Sequence, residues 1–244
     1  MISEPIRNGI KGTVNIPGDK SISHRSIIIP SISNGICEIS NVLKSDDVMH
    51  TLNSFRKMGV KIEMSQKKII IYGNGLNSLK KPEEDLYLGN SGTSARLLTG
   101  LLSSQKFDSI LTGDKSLSKR PMERISEPLK KMNGKIKTSN GTMPLFIKGS
   151  NLIASNLTLK IPSAQIKSGI LLASLNAAGE TKITENKITR DHTETMLESF
   201  GANIEIEKID NKKKLKIIGQ RELVSKNIDV PNDLSSSAFF MVSA

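Results

Sequence analysis

Pro17-Gly18-Asp19-Lys20-Ser21-Ile22-Ser23-His24-Arg25, Leu88-Gly89-Asn90-Ser91-Gly92-Thr93-Ser94-Ala95-Arg96 and Pro162-Ser163-Ala164-Gln165-Ile166-Lys167 are three copies of one device. Each runs from a strand-like segment into a polar loop rich in Ser or Gly and then into an apolar helix. Ser21, Ser91 and Ser163 stand 70 and 72 residues apart. Every copy offers backbone N–H groups and a hydroxyl at a helix start. Arg25, Arg96 or Lys167 follows about one turn further on. Such an arrangement suits a phosphate or a carboxylate.

Outward from the loops the repeat continues. The apolar stretches are Ile27–Ile29, Leu97-Leu98 with Leu101-Leu102, and Ile170–Ala173. A short strand comes next, with Ile39, Leu111 and Ile183 equivalent at spacings of 72 and 72. An amphipathic helix follows, opening near Asp46, Pro121 and Asp191. Val48, Leu52 and Phe55 fall at helical spacing in the first copy, Met122, Ile125 and Leu129 in the second, and Met196, Leu197 and Phe200 in the third. Pro128 is expected to kink or shorten its copy. Gly59, Gly134 and Gly201 mark the helix ends, where glycine readily supplies a left-handed cap. Two further strands close each unit at Gly73, Gly149 and Gly219. The chain therefore reads as an α/β fold of three βαβαββ units. Ile228-Asp229-Val230-Pro231-Asn232-Asp233-Leu234-Ser235-Ser236-Ser237 opens a fourth, which stops at Ala244 in mid-helix. That pattern leads us to expect the front part of a longer polypeptide.

The 244 residues carry a formal net charge of +11 with a pI near 9.7, which favours an anionic partner. Nucleic acid fits poorly: aromatics are 3% of the chain, Trp is absent, and the basic residues are scattered. The exception, Lys212-Lys213-Lys214, is expected to cap a solvated hairpin. Cys37 stands alone, so no disulfide framework forms within the chain. The N-terminus lacks the pattern of a signal peptide, and no apolar run approaches bilayer length. We expect a soluble, cytoplasmic protein that binds neither membrane nor nucleic acid. His24, His50 and His192 lack metal-site spacing, and Asp46, Asp47 and Asp191 suit helix starts.

Lys20-Ser21-Ile22-Ser23-His24-Arg25 after Pro17-Gly18-Asp19, then Leu88 to Thr93 with Arg96, then Lys119-Arg120-Pro121-Met122, resemble one family closely. Ser163-Ala164-Gln165, Arg190-Asp191-His192-Thr193-Glu194 and Pro231-x-Asp233-x-Ser235-Ser236 continue the match in the same order. The family is EPSP synthase, 3-phosphoshikimate 1-carboxyvinyltransferase. The resemblance covers essentially the whole chain. It implies one lobe of the two-lobed enolpyruvyl transferase fold, with three βαβαββ units around a pseudo-threefold axis. On that pattern, residues 1–18 belong with the second lobe, 19–227 form the complete lobe, and 228–244 begin the second lobe.

The implied reaction transfers the enolpyruvyl group of phosphoenolpyruvate to the 5-hydroxyl of shikimate 3-phosphate. No metal or other cofactor is implied, and the full-length protein is expected to be a monomer. By the resemblance, Lys20 is catalytic and reaches both substrates. Shikimate 3-phosphate would be held by Lys20, Ser21, Arg25, Ser163, Gln165 and Arg190. Phosphoenolpyruvate would be held by Lys20, Asn90, Gly92, Arg120 and Gln165. Gly92 implies a site open to glyphosate. Ala164 departs from the common Ser-Ser-Gln and removes a hydroxyl, and Arg190 is expected to compensate. The proton-transfer Asp and Glu of the family come from the second lobe, so this chain alone is expected to be inactive.

Two rivals remain at this point. UDP-N-acetylglucosamine enolpyruvyl transferase shares the fold, but its first loop carries Lys-Asn where this chain has Lys20-Ser21. Its mobile loop usually carries a Cys or Asp, and Cys37 lies elsewhere. A basic, non-catalytic nucleic-acid-binding repeat protein is the rival from another class.

Overall fold

The computed structural model describes residues 12–243. Strands β1 (Asn34–Ser40), β2 (Lys61–Met64) and β3 (Lys68–Asn74) belong to the first sheet. Strands β4 (Leu86–Tyr87), β5 (Ser109–Thr112), β6 (Lys135–Ser139) and β7 (Thr142–Lys148) form the second. The third holds β8 (Asn156–Leu159), β9 (Glu180–Glu185), β10 (Asn203–Ile209) and β11 (Lys212–Ile218). The orders β4-β5-β7-β6 and β8-β9-β11-β10 are the same pattern, a parallel pair followed by antiparallel neighbours. This is the expected repeat.

The first sheet departs from expectation in one respect. A strand was predicted before Pro17, yet residues 13–17 form none. Its place is taken by β12 (Ile228–Asp229), which pairs parallel to β1 with Ile228 opposite Ile39. A segment assigned from sequence to the start of the second lobe therefore completes the first sheet. Beside it, the Asp19 N–H donates to the Pro231 carbonyl and the Asp233 N–H to that of Pro17, both at 2.8 Å. The two segments thus clasp each other. Residues 1–11 of the predicted 1–18 segment lie outside the described residues.

Helices α1 (Lys20–Ser31), α3 (Gly92–Ser103) and α5 (Ala164–Ser174) start at the three loops. Ile27–Ile29, Leu97, Leu98, Leu101 and Ile170–Leu172 are all buried, as expected of helices apolar on every side. Helices α2 (Asp46–Lys57), α4 (Glu123–Lys131) and α6 (His192–Ser199) each bury one face, with Val48, Leu52 and Phe55 carrying that of α2. Helix α4 continues through Pro128 to Lys131 and is shorter than α2, but α6, with no Pro, is shorter still. Left-handed turns follow α2 at Gly59 and α6 at Gly201, but after α4 Asn133 takes that conformation instead of Gly134. Asn tolerates it nearly as well. Helix α7 (Leu234–Ser243) ends the described chain. No helix among the described residues is long and apolar enough to cross a membrane.

The Lys212–Lys214 reading is corrected. Lys212 and Lys214 are exposed, but Lys213 points inward on β11 and is buried against Glu194 at 2.9 Å. Strand alternation sends every second side chain to the core, whatever its charge.

Candidate functional site

The polar starts of α1, α3 and α5 converge at one end of the inner helices. There a cavity of about 450 Å³ is lined by Ser21, Arg25, Ser163, Gln165 and Arg190 from the sequence prediction, joined by Thr93, Ala164, Ile188, Thr189 and His192. The cap of α1 is Asp19, whose Oδ1 accepts from the Ile22 N–H at 2.8 Å. Ser21 is therefore not the cap and sits on the first turn, facing the cavity. Ser163 caps α5, and Ser91 caps α3.

Arg25 is nearly buried. Its Nε donates to Thr193 Oγ1 at 2.6 Å, while its terminal nitrogens donate to Ser168 Oγ and the Ser21 carbonyl at 2.7 Å each. Burial lowers its pKa to about 10, partly offset by Glu194. It remains charged at neutral pH, so the cavity floor is a fixed cation. Arg190 is exposed at the rim. Lys20 does not line the cavity; its Nζ pairs with Asp47 on α2.

Beside the cavity lies a second basic cluster. Arg120 donates to Asn90 Oδ1. It is placed by a short 3-10 turn, Leu117–Lys119, whose first N–H is capped by Asp114 at 2.7 Å. A Cβ on Gly92 would lie 2.8 Å from a terminal nitrogen of both Arg120 and Arg96. The absent side chain at Gly92 thus makes room for two guanidinium tips. Arg96 donates to Gln165 Oε1 and to the Gly92 carbonyl at 3.0 Å each, and the Gln165 amide donates to Thr93 Oγ1 at 3.0 Å. Burial, then Arg120 and Arg124, lowers the pKa of Arg96. Gln165 consequently bridges the two clusters.

Lys167 corrects the reading of a third loop cation. It is fully buried and pairs with Glu185 and Glu194 at 2.7 Å each, so it is committed to the interior. His24 lies beneath the first loop. Its Nδ1 lies 2.8 Å from Thr51 Oγ1, which contacts Ser94 Oγ at 2.6 Å, and Ser94 in turn meets Ser91 at 2.7 Å. This chain of hydroxyls ties α1, α2 and α3 together. Burial lowers the His24 pKa to about 3, so it is neutral. Cys37 is buried with its Sγ 2.9 Å from the Lys226 carbonyl, and burial pushes its thiol up to about 12. It is no nucleophile.

Sequence reasoning left Thr93, Arg96, Thr189 and His192 out of the site. Thr93 and Arg96 stand within the quoted second loop, so the signal was present. His192 likewise stands within the quoted Arg190–Glu194 motif, whereas Thr189 precedes it and carries no motif of its own.

The family model for EPSP synthase (3-phosphoshikimate 1-carboxyvinyltransferase) matches residues 5–244. The 3-phosphoshikimate 1-carboxyvinyltransferase of Ruthia magnifica subsp. Calyptogena magnifica is 52% identical over 238 residues, covering 97% of this chain and 54% of that protein. The enzyme of the same name from Hydrogenovibrio crunogenus is 48% identical over 239 residues, covering 96% and 54%. An EPSP synthase structure from Acinetobacter baumannii superposes with a TM-score of 0.90 at 50% identity, covering 98% of this chain and 54% of that one. The chain spans about half the length of the curated relatives it matches. Its three-sheet architecture matches one lobe of that fold, and the chain belongs to the EPSP synthase (3-phosphoshikimate 1-carboxyvinyltransferase) family.

Proposed function

We propose that this chain is the lobe that holds shikimate 3-phosphate and phosphoenolpyruvate during enolpyruvyl transfer, in the cytoplasm and without metal, cofactor or nucleic acid. One observation carries this reading. Ser21 and Arg25 from the first repeat and Ser163, Gln165 and Arg190 from the third line a single cavity with Thr93 of the second, and a buried cation stands at its base. A phosphate there meets the Arg25 charge, the hydroxyls of Ser21 and Ser163, and Arg190 from the rim. Asn90, Arg120 and Arg96 around Gly92 supply the neighbouring place for phosphoenolpyruvate, with Gln165 touching both ligands.

In the reaction, the 5-hydroxyl of shikimate 3-phosphate gives up its proton as its oxygen bonds to C2 of phosphoenolpyruvate, while C3 takes a proton. The tetrahedral adduct then loses phosphate and a C3 proton, which gives the enol ether. The fixed guanidinium groups stabilise the carboxylate and phosphate throughout. Lys20, on the first turn of α1, would leave Asp47 to stabilise charge that develops between the two ligands. The proton transfers fall to carboxylates of the second lobe, so the 244-residue chain binds without turnover, and a monomeric protein containing both lobes is active.

Phosphate release, followed with both substrates present, tests this reading. The chain alone should release none above background, and a polypeptide that adds the second lobe should release it steadily. Turnover by the 244-residue chain alone would contradict the assignment of proton transfer to the other lobe.

A further inference from the structure

Thr189 Oγ1 donates to Glu185 Oε1 at 2.5 Å. The second oxygen of Glu185 takes Lys167 Nζ at 2.7 Å, and Lys167 also pairs with Glu194 at 2.7 Å. Glu194 Oε1 accepts from Lys213 at 2.9 Å. Lys167, Glu185 and Glu194 are wholly inaccessible, and Lys213 almost so. These groups sit on the elements that build the cavity. Lys167 follows Ser163 and Gln165 on α5, Glu185 ends β9, and Glu194 follows Thr193, the acceptor for Arg25. A charge network so deeply buried has little freedom to rearrange.

The Thr189 bond joins this fixed network to the loop that carries Arg190. Arg190 is exposed at the rim, and its side chain forms no hydrogen bond or ion pair to the described residues. Its place over the cavity is set by the backbone beneath it, which the neighbouring Thr189 anchors, with the Asp233 carboxylate near enough to feel its charge. Loss of the hydroxyl would strand an oxygen of a buried carboxylate, which the loop can relieve only by moving.

We propose that Thr189 is a positioning residue: bound to the buried Glu185–Lys167 pair, it holds Arg190 in place to grip a phosphate in the cavity. The proposal rests on the cavity being the shikimate 3-phosphate site. Because the hydroxyl proton of Thr189 is committed to Glu185, the residue acts through Arg190.

The test uses the 244-residue chain and its Thr189→Val, Thr189→Ser, Arg190→Ala and Thr189→Val/Arg190→Ala variants. Amide hydrogen exchange of residues 186–191 is read without ligand, and calorimetry reads shikimate 3-phosphate affinity. Thr189→Val should speed loop exchange and weaken affinity about tenfold each, as loss of a charge-assisted hydrogen bond implies. Exchange in α3 should stay unchanged, and Thr189→Ser should restore both readings. The double variant should bind no worse than Arg190→Ala alone. Unchanged loop exchange in Thr189→Val, or losses that add in the double variant, would overturn the proposal. If the unsubstituted chain gives no heat with shikimate 3-phosphate, the ligand reading and the affinity half of the proposal both fall. The exchange data still decide the tether separately.

Discussion

Gly100 and Gly169 meet backbone to backbone: a Cβ on Gly100 would lie 1.9 Å from the Gly169 carbonyl oxygen. Helices α3 and α5 can cross this closely only because both residues lack a side chain. One turn earlier on each helix stand Arg96 and Gln165, which bond at 3.0 Å. The crossing therefore sets the distance between the second and third loops, and with it the join between the two basic clusters.

Gly100→Ala should consequently destabilise the chain by about 3 kcal/mol, the upper range for overpacking a tight core. Urea unfolding measures the loss. A change below about 0.5 kcal/mol, typical of a surface site, would show that the helices can separate at little cost.

His24 makes stability depend on pH with a definite sign. Its native pKa of about 3 lies below the unfolded value of 6.5 because burial disfavours the charged ring. Between those values the unfolded chain binds a proton that the native one refuses, so the contribution is full above pH 6.5 and falls as pH drops towards 3. At pH 5 this amounts to about 2 kcal/mol. His24→Asn, which retains a polar group near Thr51, should remove that share of the slope. Urea unfolding of both proteins at pH 7 and pH 5 provides the comparison, and parallel slopes would refute it.

Gly92→Ala would bring a Cβ to 2.8 Å from the tips of Arg96 and Arg120. Both are ends of flexible side chains, so the fold should tolerate the change to within about 0.5 kcal/mol. The displaced guanidinium groups should weaken phosphoenolpyruvate and glyphosate about tenfold. Shikimate 3-phosphate, on the far side of Gln165, should bind as before. Calorimetry with each ligand separates the effects; equal losses for all three would place Gly92 in a shared site.

Lys167→Met removes the cation between Glu185 and Glu194. Two buried carboxylates would then face each other with Lys213 and the more distant Arg25 as the remaining cations, at a cost of about 3–5 kcal/mol in unfolding free energy. Thermal and urea unfolding test this, and a near-neutral substitution would mean that the network adds no stability.

Much of this architecture was legible in the sequence because each repeat spells out its own elements. The spacing of Ile39, Leu111 and Ile183 located three equivalent strands, and the loop serines located three helix starts. The strand exchange was not legible. Ile228–Asp229 looks like the opening of a fourth unit, and nothing local in it announces a partner as distant as Ile39. Lys167 and Lys213 were misread for a related reason. Their burial depends on Glu185 and Glu194 arriving from other elements, and charge in a sequence says nothing of its partner. Arg25, Ser163 and Gln165, singled out by their motifs, line one cavity. Thr189 escaped because its role lies in a bond to an interior carboxylate.

The most direct test of the central claim is a calorimetric titration of the 244-residue chain with shikimate 3-phosphate, with inorganic phosphate and UDP-N-acetylglucosamine as controls. The account predicts saturable heat with shikimate 3-phosphate, no matching response to either control, and its loss in Arg25→Ala. No heat from a chain whose circular dichroism shows it folded would contradict the claim that this lobe carries the specific half of the site.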